Sequence, residues 1–167
     1  MDSTERESLG SEDCSMSGIR YVHTNIVAKD WRRIVAFYVH VFGCKIVPPE
    51  RDLSGAWLEE LTGIPDARIQ GAHLALPGYE KNGPTLEVFG YSPGVMRSKP
   101  DEINRQGFAH IAFHVEDVET VVSRVREAGG GILGSIVRKE YDGIGVLTVA
   151  YCHDPEGNHI EVQNWSS

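Results

Sequence analysis

Cysteine is scarce in this chain of 167 residues: Cys14, Cys44 and Cys152 are the three present, and no two stand in a C-x-x-C spacing. An odd, scattered set of thiols excludes a disulfide framework and a thiolate zinc site, so all three are expected to be reduced. Cys44, just after Gly43 at an expected strand start, is read as a buried structural thiol. Long apolar runs are also missing. No stretch approaches the roughly 20 apolar residues of a membrane helix, and the N-terminus is acidic where a secretory signal is basic and then apolar. No membrane partner and a cytoplasmic location are therefore expected. Basic residues are in deficit, with 16 Lys and Arg against 24 Asp and Glu and a net charge of −8. Neutralising a phosphate backbone needs clustered cations, and short groups such as Arg97 to Lys99 do not supply them, so no nucleic-acid partner is expected.

What is present is a chain able to bury a core, with 41% hydrophobic and 24% charged residues. Residues 1–17, rich in Ser, Asp and Glu, are expected to form a disordered tail ahead of one domain over 18–167. Ile19 to Val27 reads as a strand, and Asp30 as the N-cap of a helix whose apolar positions Ile34, Phe37, Tyr38, Val41 and Phe42 recur at helical spacing. Gly43 stands where a left-handed C-terminal cap is wanted. Strands are expected at 44–50, 69–76 and 85–91. After a polar link near 92–106 the order recurs. Gly107 to Val115 is a strand, Asp117 starts a helix with Val118, Val121, Val122 and Val125 inward, and strands follow at 131–138, 146–151 and 158–163. The expected architecture is α+β, with two βαβββ modules over about 18–92 and 107–165.

The halves also match in detail. His23 precedes Asp30 by seven residues and His110 precedes Asp117 by seven. Leu86-Glu87-Val88 matches Ile160-Glu161-Val162, with aromatic Tyr91 and Trp165 each four residues after the Glu. A carboxylate inside an apolar strand is costly to bury unless a cation or proton compensates it. Two neutral imidazoles and two carboxylates balance one divalent ion, so His23, Glu87, His110 and Glu161 are the candidate metal ligands. Strand alternation lets all four face one concave surface. His114 shares the face of His110 and is expected to serve strand packing. His73, His153 and His159 have no repeat partner and His40 lies on a helix, so these four are read as structural or exposed. Tyr141 to Gly145 is either a simple turn or a mobile flap.

At these residues the chain resembles the glyoxalase, bleomycin-resistance and extradiol-dioxygenase superfamily, the vicinal oxygen chelate proteins. The matching stretches are His23-Thr24 through Asp30, Ala36-Phe37-Tyr38 with Val41-Phe42-Gly43, Leu86-Glu87-Val88, Gly107 through Ala112, and Asp154-Pro155-Glu156-Gly157-Asn158 with Ile160-Glu161. The resemblance implies paired modules forming a curved mixed sheet around a metal-binding cleft, a small-molecule substrate whose oxygens chelate the ion, and a homodimer. Glu at position 87 makes the ligand pattern closest to glyoxalase I. The implied cofactor is one divalent ion per site, nickel, cobalt, zinc, manganese or iron. The implied activity is that of a glyoxalase-like lyase or isomerase, which stabilises an enediolate formed from a small carbonyl or thioester. Glu161 is then the carboxylate that shuttles the proton and Glu87 its symmetry-related counterpart, while His23 and His110 stay as fixed ligands. The other readings are an Fe(II)-dependent extradiol-type dioxygenase and a non-catalytic binding protein of the bleomycin-resistance kind.

Two departures bear on the substrate. Bacterial glyoxalase I has an Arg four residues after the first ligand and an Asn four after the second, both helping to hold glutathione, whereas this chain has Val27 and Tyr91. His23 and Glu87 are 64 residues apart against 51 for His110 and Glu161, an excess placed around Trp57 to Asp66. That insert either covers the mouth of the site or pads the dimer contact, and Arg68 beyond it is a candidate for meeting an anionic substrate.

Overall fold

The computed structural model describes residues 18–79, 81–96 and 102–167. The expected tail, Cys14 and the Arg97 to Lys99 group lie outside the described residues. The first half runs β1 (His23–Val27), α1 (Trp31–Phe42), β2 (Lys45–Ser54), α2 (Ala56–Thr62), β3 (Arg68–Ala75) and β4 (Thr85–Ser92). The second runs β5 (His110–His114), α3 (Val118–Glu127), β6 (Gly131–Ile132), β7 (Val137–Tyr141), β8 (Gly145–His153) and β9 (His159–Ser166). Each half builds its own mixed sheet, in the orders β1-β4-β3-β2 and β5-β9-β8-β6, with β7 also paired to β8. The first strand of each half lies parallel to the last, and the remaining pairings are antiparallel.

The caps read from the sequence explain where the two long helices begin. Asp30 accepts a hydrogen bond from the Arg33 N–H at 3.2 Å, and Asp117 accepts one from the Thr120 N–H at 2.9 Å. Gly43 closes α1 at φ 69°, a left-handed conformation that glycine adopts without a Cβ penalty. Both helices bury their apolar stripes in one shared core. Ile34, Tyr38 and Val41 of α1 meet Leu74, Leu86 and Val88 there, together with Val122 and Val125 of α3 and Ile160 and Val162 of β9. The Phe42 and Phe113 rings stack across the two halves at 4.2 Å. Since Leu86 and Val88 point into this core, Glu87 must point to the other face of its sheet, and the same alternation turns Glu161 outward.

A polar turn ties the halves together. The buried Asp154 carboxylate accepts from the Glu156 and Asn158 N–H groups at 2.9 and 3.0 Å and from the Asn158 side chain at 2.7 Å. Burial raises its pKa, against the lowering effect of the Asn158 hydrogen bonds. The turn so formed presents Glu156, whose carboxylate accepts from the Lys29 and Asp30 N–H groups at 2.8 and 2.7 Å.

The strands expected over Ile19–Val27 and Gly107–Val115 are shorter, His23–Val27 and His110–His114, and three further regions differ from the expected elements. The strand expected over 131–138 is two pieces, β6 and β7, separated by residues that include Gly134 and Ser135, poor strand formers. The Tyr141 to Gly145 segment is the turn of the β7–β8 hairpin, with Tyr141 paired to Gly145. The insert forms α2, which buries Leu58 against Ala67, Ile69 and Phe89 in a second, smaller cluster. Ile69 and Phe89 share the face that carries Glu87, because they lie two or four positions from His73 and Glu87 on β3 and β4. The insert therefore packs on the site face of the first sheet.

Candidate functional site

Glu87 sits at the centre of the first half's outer face. In register it lies beside Asn25 of β1 and His73 of β3. It is only 7% exposed, and both of its oxygens are engaged. Oε1 lies 3.4 Å from His23 Nδ1 and 3.2 Å from His73 Nε2, while Oε2 accepts from Asn25 Nδ2 at 3.3 Å. Burial lowers the His73 pKa although the Glu87 charge opposes it, and the positive charges of Arg51 and His23 lower it further. The His73 ring packs against Phe89 with centroids 5.6 Å apart. His73, read from the sequence as structural or exposed, lies half-buried beside Glu87. Its equivalent across the repeat is Tyr151, because β3 pairs His73 with Glu87 as β8 pairs Tyr151 with Glu161.

The second half repeats the arrangement with fewer contacts. His110 Nε2 lies 3.5 Å from Glu161 Oε2. The position beside Glu161 on β5 is Ala112, where the first half has Asn25. The Tyr151 hydroxyl hydrogen-bonds to Glu161, which is the main cause of its raised pKa, and its ring lies 5.2 Å from that of His110. His110 Nδ1 is buried and has no hydrogen-bond partner among the described residues.

The four sequence-predicted ligands are therefore brought together as two pairs, on two separate sheets. Among the described residues no group of three or more His, Cys, Asp or Glu side chains is arranged to hold a metal ion within one chain. His23 and His73 approach a single oxygen of Glu87 at 3.4 and 3.2 Å. The expectation that all four line one concave surface is corrected accordingly: the two pairs stand on different sheets, of which β1 and β5 are edge strands. The donor types still fit a divalent cation. Imidazole and carboxylate together suit nickel, cobalt, zinc, manganese and iron.

The other candidates have structural positions. Burial pushes the Cys44 and Cys152 thiols up to about 11, which removes both as nucleophiles at neutral pH. Arg68 is held by Asp52 through two hydrogen bonds of 2.8 and 2.6 Å. His153 Nδ1 meets its neighbour's carbonyl, Asp154 O, at 2.8 Å. Between the halves lies a cavity of about 240 Å3, bounded by Asn25 and Val27 on one side and by Phe108, Ile111 and His159 on the other. Of its lining residues, Asn25 donates to Glu87 and His159 lies beside His110 in strand register. Among the described residues no helix is long and apolar enough to cross a membrane.

Comparison with known proteins agrees with this architecture. Two curated proteins named "Probable lactoylglutathione lyase" are similar over most of their length. One, from Synechocystis, is 27% identical over 146 residues, covering 87% of this chain and 95% of the relative. The other, from Vibrio cholerae, is 26% identical over 152 residues, covering 89% and 94%. The crystal structure of a glyoxalase family protein from Bacillus cereus has a TM-score of 0.72 at 18% identity, covering 95% of this chain and all of that one, a likeness of fold. Residues 20–162 match the Glyoxalase/Bleomycin resistance protein/Dioxygenase superfamily. With a match over that span and a mixed α+β fold shared with a solved relative, the chain belongs to this superfamily.

Proposed function

We propose that the protein is a glyoxalase-like, metal-dependent lyase or isomerase that removes a proton next to a carbonyl of a small substrate. The observation that carries this reading is the repeated pair, an imidazole and a carboxylate 3.4 and 3.5 Å apart at equivalent register positions of two related sheets. His23 and Glu87 of one half and His110 and Glu161 of the other are the residues that would hold the ion. When bound, a divalent cation supplies Lewis acidity, polarising substrate oxygens and offsetting the negative charge that develops on them. Glu161 is the group assigned to take and return the proton. Val27 of β1 borders the cavity and Tyr91 packs into the α2 cluster, so neither position supplies the Arg or Asn that helps hold glutathione in bacterial glyoxalase I.

The proposed assembly is a homodimer in which the first half of one copy faces the second half of its partner. Two features support it: the pairs occupy separate sheets, and apolar side chains flank them in the open, with Val22 54%, Val27 56% and Phe108 72% exposed. Elemental analysis with mixing of variants tests both statements. The purified protein should carry about one divalent ion per chain, and the H23A/E87A and H110A/E161A variants none. If the site is shared, mixed variants recover one intact site per heterodimer. Absence of metal uptake by the unmodified protein would overturn the metal-dependent reading, and uptake that mixing never restores would overturn the shared site.

A further inference from the structure

We propose that Arg51 binds an anionic group of the substrate, a carboxylate or a phosphate, on the Glu87 face of the first sheet. The substrate is then a small carbonyl compound that carries such a group. This rests on the reading above in one respect, that the Glu87 face is the one that meets substrate. Three charged residues follow one another on β2, Glu50, Arg51 and Asp52, and the fold turns them different ways. Glu50 pairs with Arg32 of α1 at 3.0 Å, on the core side of the sheet. Asp52 stands opposite Gln70 and accepts from Arg68 at 2.8 and 2.6 Å and from Gln70 at 3.1 Å. Arg51, between these two acids, takes the other face by strand alternation. It lies opposite Gly71, two positions from His73, and Leu53 beyond it packs into the α2 cluster on that same face. Diagonal neighbours on one face stand roughly 7–8 Å apart, within reach of a long side chain.

A bulge sets this placement. Val47 lies opposite His73 and Arg51 opposite Gly71, so four positions of β2 run against two of β3, an irregularity that re-aims a side chain. Arg51 is half-buried, and one of its N–H groups donates to the Pro49 carbonyl. Among the described residues no carboxylate stands within ion-pair distance of it. A partly buried cation without a counter-ion is costly, and the planar guanidinium fork matches a carboxylate or phosphate through two parallel hydrogen bonds. Arg51 is one of the charges that act on the His73 ring, so it belongs to the surroundings of Glu87. Arg68, the cation singled out in the sequence, is on the opposite face with Asp52. The second half has no such cation at the equivalent position, which is Val137, opposite Val149. The next cation along β7, Lys139, lies 5.5 Å from the centre of the Tyr141 ring.

Titration calorimetry on the full-length protein tests this, with dihydroxyacetone phosphate and pyruvate as anionic probes and dihydroxyacetone as the uncharged one. The better anionic probe should bind about tenfold more tightly than dihydroxyacetone, and which of the two it is tells phosphate from carboxylate. R51Q should weaken that probe by roughly 10- to 100-fold and leave dihydroxyacetone unchanged. A merely structural role for Arg51 would weaken charged and uncharged probes alike. R51K, which keeps the charge without the fork, recovers part of the loss. R68Q stays within about twofold of the unmodified protein. In the unmodified protein the Arg51 Nε–H and Gly71 N–H resonances should move as the anionic probe is added, a measurement that stands even if R51Q does not fold. No preference for either anionic probe, unaltered binding in R51Q, or an equal loss in R68Q overturns the proposal. The metal-dependent reading fails separately: a protein that takes up metal but shows no preference for anions sinks the role of Arg51 alone. One that prefers anions and takes up no metal supports that role and sinks only the metal-dependent reading.

Discussion

Replacing Glu156 with Ala removes the contact by which the second half's turn grips the entrance of α1. Its carboxylate accepts from two backbone N–H groups at 2.8 and 2.7 Å. Hydrogen bonds to a charged partner contribute roughly 1.5–3 kcal/mol each, and because these are water-accessible we take about 1 kcal/mol apiece. An anion at a helix N-terminus adds about 0.5 kcal/mol, so E156A should destabilise the fold by about 2 to 2.5 kcal/mol. E156Q, with one acceptor oxygen left, should lose about half of that. Urea unfolding at fixed protein concentration reads the difference. With a slope of roughly 1–3 kcal/mol per molar urea, E156A should lower the midpoint by about 1 M without changing the slope. A shift below about 0.3 M, or an E156Q protein as unstable as E156A, would refute the reasoning. The consequence reaches the site, because α1 follows directly on β1, which bears His23 and Asn25, and Glu156 precedes β9, which bears Glu161. A slack turn would let the two half-sites drift.

Four further outcomes are expected. E161Q should abolish turnover while keeping most of the bound metal, and unchanged activity would remove Glu161 from the proton transfer. L58A empties the centre of the α2 cluster and should cost about 2–3 kcal/mol, the lower part of the range for buried leucines, with faster proteolysis within residues 55–66; unchanged stability and cleavage would mean that α2 is not held by Leu58. In a C14S background, Cys44 and Cys152 should not react with a thiol reagent at pH 8 until the protein is denatured, since burial holds both near 11, and rapid native labelling would contradict that burial. Asp117 is kept below the ordinary carboxylate value chiefly by the Thr120 N–H and then by the Thr120 hydroxyl. A lowered carboxyl contributes stability that is full above its unfolded pKa, about 4, and lost as pH falls through the folded value. The stability gap between the unmodified protein and D117A should be flat from about pH 5 to 8 and close below about pH 4, and a gap unaffected by acid would refute this.

Much of this protein could be read from local pattern. The helical spacing of Ile34, Phe37, Tyr38, Val41 and Phe42, the Asp caps and Gly43 determined the long helices, because those signals act within a turn or two of chain. The paired His and Glu positions were legible because a carboxylate between two core residues must face outward wherever the strand lies. Other features had no such signature. His73 reaches Glu87 through the register of β3 against β4, which depends on the connection between strands and has no counterpart in the second half, where a tyrosine takes the place. The position of the insert followed from the partners Leu58 found on Ile69 and Phe89, one of them about thirty residues away in sequence. That the four candidate ligands stand as two pairs on two sheets was decided by how α1 and α3 share one core, a long-range packing choice that no strand or helix period encodes.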